Sequence, residues 1–215
     1  MGPRGDVILE ADWCVSEFLK ELDCLGLSEN TIVVFSSDNG PVLDDGYKDQ
    51  AKELLGEHKM AGPLRGGKTS LYSAGTCVPF MIRWPAIIEP AVSDATVCQM
   101  DLLASFSALI GETYDDRLDS QNTLSAFLGK SNKGRYELVT EGMFNYAFRQ
   151  GDWVLIPAYP DAAGKRGYAN SNQLFHVKTD IGQKNNVADE NLQVVRKMMM
   201  RFEHLKRVTS KVTDF

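Results

Sequence analysis

The chain has 215 residues, 43% of them hydrophobic and 24% charged, with a formal net charge of −6. That length suffices for one ordinary core with a small satellite, and the composition is that of a globular protein, not a disordered or fibrous one. The acidic balance argues against a nucleic-acid or anionic-membrane partner, and no apolar run reaches bilayer-spanning length.

Ile8, Ala11, Val15, Phe18, Leu22 and Leu25 recur at helical spacing, predicting an amphipathic helix with Asp6 as N-cap and Gly26 as the stop. Met1 to Asp6 lacks an apolar stretch, so no secretory signal is expected in this chain. Thr31 to Phe35 is β-branched and aromatic, as a buried strand would be, and leads into Ser36-Ser37-Asp38-Asn39-Gly40. In open α/β sheets ligands sit beyond the carboxyl ends of strands. Asp38 and Asn39 are adjacent hard oxygen donors, better suited to Ca²⁺ or Mg²⁺ than to zinc. Asp-Asn-Gly is equally good turn chemistry, and the residues alone leave both readings open. Helix, turn and strand form half of a βαβ unit whose first strand would precede this chain.

Pro41 to Lys68 is a long polar stretch, and loops of this length are often functional. Within it, Gly62-Pro63-Leu64-Arg65-Gly66-Gly67-Lys68-Thr69 matches the phosphate-cradling pattern G-x-x-x-x-G-K-[ST]. A true P-loop needs a buried strand before it and a helix from the lysine, and neither pattern is present. A nucleotide binder is therefore the remote alternative, and Lys68 reads better as a point charge against some other anion. Cys77 to Trp84 predicts a second short strand, which Pro79 places near a sheet edge. Val97 to Ile110 and Leu124 to Leu128 predict helices stopped by Gly111 and Gly129. Beyond Arg135, the segments Tyr136 to Glu141, Tyr146 to Arg149 and Trp153 to Pro157 predict an antiparallel meander, followed by a helix from Asp189 to about Val208. Cys14, Cys24, Cys77 and Cys98 have no metal-type spacing, and Cys14 and Cys98 fall in patterns where buried thiols are common.

Taken in order, Arg4-Gly5-Asp6, Gly26-Leu27-Ser28-Glu29-Asn30-Thr31, Ser37-Asp38-Asn39-Gly40, Leu64-Arg65-Gly66-Gly67-Lys68, Val78-Pro79-Phe80 and Arg83-Trp84-Pro85 resemble the C-terminal half of the type I sulfatases. These are the formylglycine-dependent members of the alkaline-phosphatase-like superfamily. Asp119-Ser120-Gln121-Asn122, Arg149 to Trp153 and Leu174 to Asp180 look like that family's C-terminal subdomain. The resemblance implies an α/β fold: part of a mostly parallel sheet flanked by helices over residues 1–130, then an α+β subdomain with an antiparallel sheet and C-terminal helix over 131–215. It implies that Asp38 and Asn39 ligate a divalent cation, usually Ca²⁺, and that Lys68 contacts the sulfate group and serves catalysis. His58, the histidine nearest these residues in sequence, is a candidate substrate contact, and the loop from Leu43 to Lys59 is the expected source of substrate selectivity.

The implied activity is metal-dependent hydrolysis of sulfate esters, on a sulfated small molecule or glycan, in a periplasmic, secreted or lysosomal setting. A non-catalytic module holding an anionic glycan is the alternative from another class. The family's nucleophile is a formylglycine made from a C/S-x-P-x-R motif. None of the cysteines fits: Cys77 has Pro79 at the right distance, but Met81 where arginine is required. The chain is therefore expected to be inactive alone and to need the N-terminal half of a sulfatase domain as partner. Ser73 and Cys77 also stand where the family commonly has glutamate and arginine.

Overall fold

A computed structural model describes residues 2–115, 118–164 and 166–209. Helix α1 spans Gly2–Cys24, and strands β1 (Val33–Ser36) and β2 (Phe80–Arg83) form a two-stranded sheet. Helices α2 (Asp101–Leu109) and α3 (Leu124–Phe127) follow. A four-stranded sheet then runs β3 (Glu137–Gly142), β4 (Asn145–Gln150), β5 (Trp153–Ile156) and β6 (Gln173–His176), and α4 (Leu192–Thr209) closes the described chain.

The glycine stops behave as predicted. After α1, Leu27 N–H bonds the Leu22 carbonyl and Gly26 N–H that of Asp23, with Gly26 at φ +69°. This is the Schellman motif, whose left-handed residue glycine adopts without a Cβ penalty. Gly111 and Gly129 end α2 and α3 with the same pair of bonds. The start of α1 differs from expectation. It begins at Gly2, four residues before the predicted Asp6 cap, because Pro3 fits the first turn, where its missing N–H costs nothing.

The first two strands pair directly with each other. β1 and β2 pair antiparallel, with Phe35 opposite Met81 and Val34 opposite Ile82. A parallel return would need a crossover, usually a helix, and residues 37–79 contain no α-helix, so the chain comes back in the opposite direction. The larger sheet is the predicted meander, antiparallel throughout in the order β3-β4-β5-β6. Its fourth strand went unrecognised in the sequence.

Side chains alternate across this sheet with period two. Phe148, Leu155 and Leu174 pack on Val195, Met198 and Phe202 of α4. Ala147, Val154, Ile156 and Phe175 face the other way, onto Leu71, Tyr72 and Tyr168. The loop just after Lys68 thus supplies part of the core of the C-terminal sheet. Arg201 of α4 pairs with Glu137 of β3 at 2.8 Å. Burial would raise the Glu137 carboxyl, but Arg201 and Gln150 outweigh it and hold it below the usual carboxylate range.

α1 has no such cover. Leu22 is its one buried residue, whereas Ile8, Trp13 and Phe18 of the predicted apolar pattern and its surroundings are 57%, 61% and 54% exposed. Cys14 is exposed for the same reason, contrary to the buried thiol predicted, and all four cysteines are free. Phe35 and Met81 are likewise exposed, leaving one face of the small sheet bare.

Candidate functional site: the Asp38–Asn39 turn and the Lys68 loop

β1 ends one residue before the turn that carries Asp38 and Asn39. Gln99 pins this end of the strand, donating to Ser36 Oγ at 2.7 Å and to the Ser37 carbonyl at 2.8 Å. Asp38 is exposed, and its Oδ1 accepts the Asn39 amide at 2.9 Å. Asn39 Nδ2 donates to the Gly40 carbonyl at 3.0 Å, which leaves the Asn39 carboxamide oxygen available. Both residues thus offer oxygen donors from one short turn. That chemistry fits a hard cation such as Ca²⁺, which takes six to eight oxygens. Two side chains are part of such a shell, and no cluster of three or more metal-binding side chains exists among the described residues.

The Lys68 loop is brought to this turn by the backbone. Gly40 N–H donates to the Gly75 carbonyl at 3.0 Å, and Lys68 N–H donates to the Pro41 carbonyl at 2.9 Å. Close approach depends on glycine. A Cβ at Gly40 would lie 1.6 Å from the Ala74 oxygen, and one at Gly67 would lie 2.5 Å from the Pro41 oxygen. Thr69, directly after the lysine, sits at φ +68°. Left-handed backbone is a genuine outlier for a β-branched residue, and such strain clusters at functional sites. The Lys68 side chain is exposed and forms no ion pair among the described residues, so its ammonium is open to an external anion.

His58 is not drawn in. It is exposed on a turn, and among the described residues no hydrogen bond or ion pair joins it to Asp38, Asn39 or Lys68. The nucleotide-binding alternative fails on its own terms, because no strand leads directly into Gly62 and no helix starts at Lys68.

Arg4 of α1 shapes the polar loop beyond Gly40. Its guanidinium donates to the Val42 carbonyl at 2.7 Å, to Asp49 at 2.6 Å and to Asp45 at 2.8 Å. That contact holds the Asp49 carboxyl below its usual range. An open groove of about 440 Å³ runs through this loop, lined among others by Leu43, Tyr47, Lys48 and Lys52. Sequence reasoning missed Gln99 and the Arg4 clamp, since both act across more than 35 residues of chain.

The sequence model of the Sulfatase family matches residues 1–112, slightly more than half of the chain. An N-acetylgalactosamine-6-O-sulfatase of Bacteroides thetaiotaomicron is 41% identical over 96% of this chain and 42% of its own length. Human arylsulfatase A is 30% identical over 74% of this chain and 27% of its own. A structure solved in work on glycosaminoglycan metabolism by B. thetaiotaomicron superposes with a TM-score of 0.90 at 40% identity, covering 96% of this chain and 45% of that one. A sulfatase from Pseudoalteromonas sp. shares the fold at a TM-score of 0.77 and 18% identity, over 98% of this chain and 43% of that one. The fold is alkaline-phosphatase-like α/β, and the chain belongs to the sulfatase family. It spans less than half the length of these relatives.

Proposed function

We propose that this chain forms the C-terminal part of a sulfatase acting on a sulfated glycan, with residues 1–130 completing the α/β core and 131–215 forming the C-terminal subdomain. The observation that carries the reading is the pair of backbone bonds joining the Asp38–Asn39 turn to the Lys68 loop. They set two hard oxygens and one free ammonium on neighbouring backbones. Asp38 and Asn39 would hold Ca²⁺, which supplies charge stabilisation at a sulfate oxygen when bound. Lys68 binds the same anionic group from its own side and stabilises charge as the ester cleaves. The residues present do not fit a formylglycine, whose C/S-x-P-x-R motif the chain lacks. The Arg4-shaped loop, with His58 at its far end, would face the sugar.

Titrating the chain with Ca²⁺ and inorganic sulfate, followed by amide resonances, tests the assignment. Asp38→Ala is expected to abolish the Ca²⁺-dependent shifts, and Lys68→Ala to weaken sulfate binding by roughly tenfold, the scale of one charge-assisted hydrogen bond. Unchanged titrations in both variants would sink it. Aryl sulfate turnover by the purified chain would refute the need for a nucleophile from elsewhere.

The uncovered α1 supports the same reading. The apolar stripe of an amphipathic helix normally faces a core, and the remainder of a sulfatase domain is the partner that would cover it. Adding a formylglycine-bearing N-terminal sulfatase half is expected to restore hydrolysis, and Trp13→Asp to block that restoration. If the two parts bind equally well with Trp13→Asp, α1 is not the contact.

A further inference from the structure

Gln183 is fully buried in the loop between β6 and α4, and it touches both ends of the segment that carries Lys68. Its Oε1 accepts the Ser73 N–H at 2.6 Å, and its backbone carbonyl accepts Arg65 Nη1 at 2.8 Å. Between those anchors the segment closes on itself, with Ala74 N–H donating to the Arg65 carbonyl at 3.0 Å. Arg65 lies 3.8 Å above the Tyr72 ring, and Tyr72 donates its hydroxyl to Gln173 at 3.0 Å. Lys68 sits near the middle of the span that one glutamine holds at both ends.

The arrangement is costly. Gln183 takes φ +46°, and its Nε2 is buried with no hydrogen-bond partner. Turning the amide over would not help, because the NH₂ would then face the Ser73 N–H. Left-handed backbone at a non-glycine residue and an orphaned buried donor are each unfavourable, and such features persist where surrounding structure over-determines them. Packing alone gives no reason for them, since a hydrophobic side chain of similar size would fill the space without a buried polar group.

We propose that Gln183 is a positioning residue, fixing the Lys68 loop so that its ammonium meets the sulfate group. This rests on the assignment of Lys68 above. The C-terminal subdomain then contributes to anion binding without touching the anion. A shortened side chain separates reach from chemistry. Gln183→Asn keeps a carboxamide and tolerates the left-handed backbone, but withdraws the acceptor from Ser73. Gln183→Met keeps the length and removes the acceptor. Both variants, and Lys68→Ala, are titrated with inorganic sulfate and separately with Ca²⁺, with amide exchange at Ser73 followed in the same samples.

The expected result is faster exchange at Ser73 and roughly tenfold weaker sulfate binding in both Gln183 variants. Ca²⁺ binding at Asp38 and Asn39 should stay within about twofold of the parent, which general loosening of the fold would not spare. Parent-level sulfate affinity in Gln183→Asn, beside a clear loss in Lys68→Ala, overturns the positioning role alone. No loss in Lys68→Ala overturns the assignment of Lys68, and the positioning role with it.

Discussion

Replacing Gly40 with alanine is expected to dismantle the site. The added Cβ would fall 1.6 Å from the Ala74 backbone oxygen, and a carbonyl within a hydrogen-bonded turn cannot rotate away as a side chain would. The collision forces the Asp38 turn and the Lys68 loop apart and breaks the Gly40–Gly75 and Lys68–Pro41 bonds. The cost should be about 3 kcal/mol, the upper end of overpacking penalties. For a chain of this size that lowers the melting temperature by roughly 10 °C. Gly75→Ala should behave alike, since its Cβ would lie 2.1 Å from the Ser70 oxygen. Calorimetry of both variants, with Ca²⁺ and sulfate titrations, checks this. An alanine variant with parental melting and parental binding would show that the two loops are not held by this contact.

The second large effect is expected far from any ligand. Asp101 opens α2 fully buried, and Arg135, almost as buried, reaches it from beyond α3. Arg135 Nε lies 2.9 and 2.8 Å from the two carboxylate oxygens, and Nη2 lies 2.6 Å from Oδ1. The same carboxylate accepts the amides of Cys98 at 3.2 Å and Gln121 at 2.9 Å. Asp101→Ala would strand a buried guanidinium and two amides at once. Removing one partner of a buried pair costs about 3–5 kcal/mol. Arg135→Met should cost less, because the carboxylate keeps its two amide donors. The double variant Asp101→Leu/Arg135→Met should fall well short of the sum of the two, yet stay destabilised by the orphaned amides. Denaturant unfolding of the four proteins closes the cycle. Additive single effects would mean that the ion pair contributes no coupling.

What was legible in the sequence was local. Gly26, Gly111 and Gly129 stop their helices because a left-handed residue is needed at each, a requirement of a few adjacent residues. The β-branched run ending in Asp38-Asn39-Gly40 and the glycine-rich turn at Lys68 were equally visible, and the backbone does join them. What escaped was set by partners distant along the chain. Asp101 looked like an ordinary residue within a helical pattern, and only Arg135, 34 positions on, makes it the centre of a buried network. β6 was hidden by its long approach from β5. The apolar stripe of α1 was legible as helical spacing, but periodicity says nothing about what covers it, and Ile8 and Phe18 are exposed here. His58 was singled out by proximity in sequence, and among the described residues no hydrogen bond or ion pair joins it to Asp38, Asn39 or Lys68.

The contacts that hold the Lys68 loop join parts of the chain that are synthesised far apart in time. Ser73 and Gln183 are 110 residues apart, Arg65 and Gln183 118, and Tyr72 and Gln173 101. Contacts of such separation form slowly, because their chain-closure entropy must be met before the contact rewards it. A ribosome delivers Lys68 long before it delivers its clamp. The emerging polypeptide therefore carries Lys68 well before the residues that hold its loop, and those contacts form only once β6 and the loop after it have left the exit tunnel.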